Sequence, residues 1–220
     1  MKIIFGVSLL VLVYCSSSQN LNDNKLATAI QTFQDAADMN GMSEAIRLFK
    51  KVSDENPNQW ISNYWTAFAY SQIGRLSDNP SAYYDSAQFY MDRVMMIKDQ
   101  SKAQQSDNQV LQSLVYSLYA GASWSKGDRE NGMKYSSLDS EALKQALVLN
   151  RDNPRVYLIS GTSLISDGLR NGDTGYLLAG SQMLEIARAK YEANKPSSEL
   201  YPDWGKGWIN FWKERARIGD

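Results

Sequence analysis

The side chains able to do chemistry in this sequence are carboxylates, lysines, serines and tyrosines. The chain contains no histidine, and its one cysteine, Cys15, lies near the N-terminus. That excludes Ser-His-Asp and Cys-His catalysis, histidine-ligated zinc and, beyond Cys15, any disulfide or thiolate metal site. The remaining candidates do not converge. Asp139 with Glu141, and Asp54 with Glu55, are one or two residues apart, so on a helix they point to different faces and make no acid–base pair. The stretch Asn171-Gly172-Asp173-Thr174-Gly175 offers oxygen ligands but lacks the acidic count of a calcium loop. These residues read as solvated surface, and the expectation is a non-enzyme with no cofactor and no metal.

The elements that position these residues are helices. Apolar residues make up 43% of the 220 and charged ones 21%, an ordinary globular balance. Net charge is -1, which offers nothing to a phosphate backbone, so nucleic acid is not an expected partner. Ala45, Leu48, Phe49 and Val52 mark one helical face, and Tyr83, Ala87, Tyr90, Met91 and Val94 another. Leu111, Leu114, Val115, Leu118 and Ala122 continue the pattern, as do Leu138, Ala142, Ala146 and Leu149, and then Tyr157, Gly161, Leu164 and Ile165. No stretch alternates with period two. Breakers at Pro57, Gly74, Pro80, Pro154, Gly172 and Pro196 separate about nine helices, expected over 22–39, 42–55, 60–73, 80–99, 106–125, 134–150, 154–169, 175–194 and 203–217. Residues 126–135, charged and glycine-containing, read as a projecting loop.

Ahead of these helices the chain opens MKIIFGVSLLVLVYCSSSQN. An apolar run from Ile3 to Tyr14 after Lys2 is shorter than the roughly 20 residues of a membrane span and reads as an export signal. Two processing routes follow. Cleavage after Ser18 removes residues 1–18 as a signal peptide, with Ser16 and Ser18 as the small pair. Alternatively, Cys15 is lipidated, as in a bacterial lipoprotein, although Tyr14 departs from the small residue that pattern wants. Both routes put the remainder, a single helical-repeat domain over 19–220, in the periplasm or at the outer membrane. They differ on whether a lipid anchors it to a membrane.

Two first helices share a pattern of small, aromatic or bulky, and glycine residues: Ala67, Tyr70 and Gly74 after Trp60, and Gly161, Leu164 and Gly168 after Pro154. Small residues let helices approach, bulky ones fill the notch opposite, and a glycine is expected to end each helix in a left-handed turn. The two units start 94 residues apart, so an array with the usual 34-residue period must be irregular. The segments FKKVSDENPNQWISNYWTAFAY, SEALKQALVLNRDNPRVY and KPSSELYPDWGKGW resemble a family of exported tetratricopeptide-repeat-like proteins of diderm bacteria. The resemblance covers most of the chain after the leader. It implies an all-α, irregular tetratricopeptide-like helical-hairpin solenoid and an exported location, and it implies no activity.

In such a solenoid the first helix of each pair lines the concave face. The repeat register puts Ile61, Tyr64, Phe68, Ser71 and Gln72 there in one unit, and Arg155, Leu158, Thr162 and Ile165 in the other. The expected function is therefore a scaffold that binds a protein or peptide through this surface. The alternative is an accessory protein binding carbohydrate or cell wall with exposed aromatics, for which Trp65, Tyr84 and Tyr119 lie off the main apolar stripes. The C-terminal stretch YPDWGKGWINFWKERARIGD places Trp204, Trp208 and Trp212 at one helical spacing. This reads as an aromatic helix capping the last apolar face of the solenoid.

Overall fold

The protein's structure, a computed structural model, describes residues 21–217. The leader, both cleavage routes and Cys15 lie outside the described residues. Leu26, Ala29, Ile30 and Phe33 recur at helical spacing and set the inward face of α1, residues 21–35. Then follow α2 (Met39–Glu55), α3 (Trp60–Leu76), α4 (Ser81–Met96), α5 (Lys102–Ser125), α6 (Arg129–Leu149), α7 (Pro154–Asn171), α8 (Thr174–Ala193) and α9 (Trp208–Arg217). The described residues contain no strand, as the absence of period-two alternation led us to expect.

Local chemistry sets the boundaries. Asp38, Ser101, Asp128, Asn153 and Asp173 each cap a helix by accepting from a backbone N–H of the first turn. Ser101 and Gln104 form a reciprocal capping box, and Pro154 follows its cap as expected. Asp38 starts α2 earlier than the apolar pattern suggested, and α1 ends sooner. Asp128 likewise starts α6 at Arg129, so the expected projecting loop over 126–135 is a tight turn, with Gly127 at φ +74°.

Adjacent helices form antiparallel hairpins. Lys25 meets Glu55 and Phe33 meets Phe49 across α1/α2. Gly74 faces Tyr83 across α3/α4, Ser113 bonds Asp139 across α5/α6, and Gly168 faces Leu177 across α7/α8. The first helices of the later hairpins stack on one another: α3 on α5 through Trp60 and Asn108, and α5 on α7 through Asp107 and Arg155. The result is a helical-hairpin solenoid whose inner layer is α3, α5 and α7. The units begin at residues 60, 102 and 154, so a middle unit stands between the two legible ones and its lengthened helices hide the period.

Glycine controls approach rather than termination at two positions. Gly74 and Gly168 were expected to end helices, but both lie buried inside them; α3 runs on to Leu76, and α7 stops at Gly172, with φ +67°. A Cβ on Gly74 would lie 2.7 Å from Leu118, and one on Gly161 would lie 2.9 Å from the Gly180 carbonyl oxygen. Gly161 and Gly180 thus let α7 and α8 touch backbone to backbone.

Two alanine substitutions should move stability in opposite directions. Gly161→Ala must push back a carbonyl and Leu184 and should lose about 1–3 kcal/mol. At Gly121 a Cβ meets nothing within 4 Å, so Gly121→Ala should gain about 0.5–1 kcal/mol by restricting the unfolded chain. Urea unfolding of both variants checks the pair of signs.

Candidate functional site

The inner face of the solenoid is divided in two, and the chain's own tail makes the division. Residues 203–217 were expected to be one helix. Instead the chain runs irregularly from Asn194 to Gly207 before α9 begins, and Trp204 enters the core ahead of the helix. Gly205, at φ +99°, makes this possible: a Cβ there would lie 2.3 Å from a methyl of Leu158 and 2.8 Å from the Tyr191 hydroxyl.

Three side chains read the tail's backbone at alternate residues. Trp65 donates its indole N–H to the Leu200 carbonyl at 2.9 Å, Arg155 donates to Pro202 at 2.7 Å, and Tyr191 donates to Trp204 at 2.7 Å. Trp204 stacks on Phe68 with centroids 4.6 Å apart and donates to the Tyr64 hydroxyl at 3.0 Å. Beneath them lies a buried ion pair. Asp107 on α5 accepts from Arg155 Nη2 at 2.6 Å, Asn153 Nδ2 at 2.7 Å and the Tyr201 hydroxyl at 2.6 Å. Burial alone would lower the pKa of Arg155, but Asp107 overrides it and holds the guanidinium charged. Burial drives the Tyr64 and Tyr201 hydroxyls upward, and Asp107 adds to this at both, so both stay neutral, Tyr201 donating to Asp107 and Tyr64 accepting from Trp204.

The expected concave-face residues are therefore not an open surface. Tyr64, Phe68, Arg155 and Leu158 are buried, and each touches the tail. Ile61 and Gln72 are half-buried; Ile61 packs on the core and Gln72 donates to Ser71. Thr162 is nearly buried but lines an open groove farther along α7. Of the aromatics expected to be exposed, Trp65 is buried and stacks parallel to Phe49, Tyr84 is buried, and Tyr119 is half-buried against Tyr135. They are covered because their helices meet neighbours on more than one face, Trp65 between Phe49 and the tail, and Tyr84 and Tyr119 against Tyr135 of α6.

The accessible site is that groove, of about 980 Å³. The polar links between the α5/α6 hairpin and α7 lie at the N-terminal end of α7, where Asn153 and Arg155 meet Ser106 and Asp107. Farther along, the facing side chains line open space instead. Leu143 and Leu147 of α6 supply half-buried aliphatic surface, buried Leu114, Leu118, Val156 and Ile159 back it, and Trp124 of α5 stands exposed beside it. Arg75, Lys144 and Arg170 stand exposed along it. Ser117, Ser125, Ser140 and Ser166 also line it, but each hydroxyl already donates to its own helix, which leaves its lone pairs facing the groove.

Asp139 stands in the groove wall, whose lining also carries Asp78 and Asp167. Burial raises the Asp139 carboxyl to about 6, against the opposing pull of the Ser113 hydroxyl and the Arg75 guanidinium. Arg75 itself is crowded by protein, which lowers its pKa despite Asp139. Sequence reasoning missed this site. Its traces were an unexplained mid-helix glycine at 121 and the small polar run Ser160, Ser163, Ser166, Asp167 and Arg170 beside the apolar stripe of α7.

No protein-family model matches the chain, and no curated protein matches it by sequence. Among solved structures, the HusA haemophore from Porphyromonas gingivalis is similar: TM-score 0.68 at 17% identity, covering 91% of this chain and 92% of that one. This likeness establishes a shared fold over nearly the whole of both chains. Among the described residues, no helix is long and apolar enough to cross a membrane.

Removing one partner of the buried pair, by Arg155→Met or Asp107→Leu, should lose about 3–5 kcal/mol, and the double substitution should recover part of it. Denaturant unfolding of the four-protein cycle checks this. At Asp139, the folded carboxyl binds its proton more tightly than the unfolded one, at about 6 against an ordinary 3.8. Its contribution is thus present at pH 4 and is lost as pH rises through 6. Asp139→Asn keeps an acceptor for Ser113 and removes this dependence. Its melting temperature should gain on that of the parent chain between pH 4 and pH 7.

Proposed function

We propose that this chain is an exported binding protein, not an enzyme, and that the groove between the α5/α6 hairpin and α7 receives the apolar body of an amphipathic ligand. The groove's construction carries the reading. A largely aliphatic floor is edged by three exposed cations, with Asp78, Asp139 and Asp167 also in the lining, and the volume lies at the upper end of the roughly 300–1,000 Å³ typical of small-molecule sites. Arg75 and Lys144 form no salt bridge with any described residue, so both can meet a ligand carboxylate. Export rests on the N-terminal leader and accords with the haemophore of similar fold.

That haemophore suggests the first ligand class to try, a flat tetrapyrrole carrying carboxylates. The chain has no histidine, and among the described residues the groove lining includes no tyrosine, methionine or cysteine. A tetrapyrrole here would be held by its face and its carboxylates rather than through a metal.

The second reading, a scaffold for a protein or peptide partner, is favoured by the tail. Trp65, Arg155 and Tyr191 already grip an extended segment by its carbonyls, which is how an inner face of this kind holds a peptide. Carbohydrate binding draws less support, because Trp65 and Tyr84 pack inside, although Trp124 and Trp212 line the groove.

Gly121 lines the groove with nothing near its missing Cβ, so Gly121→Trp should fill the site without disturbing the fold. Hemin and metal-free protoporphyrin IX titrated into the purified protein should bind with similar affinity, and this substitution should weaken both by at least about tenfold, or 1.4 kcal/mol. Absence of saturable binding by the unsubstituted chain would sink the small-ligand reading and leave the peptide scaffold to be tested by crosslinked capture.

A further inference from the structure

We propose that Trp212, carried by α9, is a ligand-contacting wall of the groove. This deepens the small-ligand reading above and rests on it. Trp212 is half-buried and lines the groove with Val156, Ile159 and Ser160 of α7; among the described lining residues it alone comes from α9. That helix is short and packs only on α7 and α8 among the described helices α2–α9. It is held by buried Ile209 and Ala216, by Lys213 on Glu185 and by Asn210 on Arg188. Trp212 itself packs partly on the core and lines the groove as well.

The placement of Trp212 follows from the clamped tail. Trp204 stacks on Phe68 in the core, Trp208 leans on Trp204 with centroids 5.6 Å apart, and Trp212 lies one helical turn beyond Trp208. The Trp208 N–H also bonds the Gly205 carbonyl at 2.9 Å, fixing where α9 starts. An aromatic row therefore leads from the core to the edge of the groove. At its end Arg215 lies 5.6 Å from the ring centroids of both Trp212 and Phe211, with Phe211 54% exposed. An indole with an exposed guanidinium beside it suits a flat apolar body bearing an anionic group. This is the ligand class assigned here to Trp212.

Protoporphyrin IX is the probe. All six tryptophans lie within the described residues, so protein labelled with 5-fluorotryptophan should give six fluorine resonances, with that of Trp212 identified by its loss in Trp212→Phe. Saturating protoporphyrin IX should shift the Trp212 resonance and leave that of buried Trp65 in place. In parallel, Trp212→Ala should weaken binding at least about tenfold, Trp212→Phe should restore most of it, and thermal unfolding should show both variants folded. A saturated protein whose Trp212 resonance does not move would overturn the assignment even if the alanine variant failed to fold. So would a folded Trp212→Ala that binds like the parent chain. If the parent chain binds no protoporphyrin, the small-ligand reading falls, and this inference falls with it.

Discussion

The structure turns on a carboxylate and a guanidinium almost wholly withdrawn from water. Asp107 and Arg155 are each about 95% buried or more, and two isolated charges there would cost several kcal/mol each. They are tolerable because their hydrogen-bonding capacity is used. Asp107 collects Arg155, Asn153 and Tyr201, and Arg155 spends its remaining reach on the Pro202 carbonyl. Those partners come from α5, from the start of α7 and from a tail nearly a hundred residues distant from Asp107 in sequence. One charge pair thereby sets the register of two helices and seats an irregular strand of chain between them.

Filling one part of the inner face has a consequence for the other. With the tail between α3, α5 and α7, the α7/α8 hairpin is pinned at its N-terminal end and stands away from α5/α6 beyond it. The Gly161–Gly180 contact binds α7 to α8 rather than to α5, so that hairpin is anchored to its own second helix and not closed onto its neighbour. The aliphatic residues left facing the gap, Leu143 and Leu147 on one side and Val156 and Ile159 on the other, form the groove because the helices that carry them are held elsewhere.

Much of this fold was legible in the sequence. Period-3.6 apolar stripes, capping residues and prolines locate the helices, and Asn153-Pro154 starts α7 where that pattern said it would. The errors share a physical cause: local pattern does not report tertiary contacts. Asp128 is a cap whose apolar partners appear only several residues later, so the turn before α6 read as a loop. Trp204, Trp208 and Trp212 have helical spacing, yet burying Trp204 against Phe68 is worth more than one further helical turn, and Gly205 permits the break. Gly74 and Gly168 read as stops because glycine is common after helices, whereas here each makes room for a leucine, Leu118 of α5 and Leu177 of α8.

The candidate site was the least legible part, for a related reason. Repeat register selected Tyr64, Phe68, Arg155 and Leu158, and the structure buries all four against the tail. Register cannot say what else occupies the inner face, and here four of its chosen residues bind the chain's own tail. A groove left open shows itself in sequence only by a lack of bulk, and lack of bulk has many causes. Gly121 illustrates this. In a helix interior it sacrifices stability relative to alanine, and no neighbour within 4 Å demands the absence of a side chain. The helix-interior glycines at 74, 161, 168 and 180 are each required by a contact of 2.9 Å or less. What Gly121 preserves is empty space on the floor of the groove, and a glycine kept for the space beyond it is consistent with a molecule that comes to fill that space.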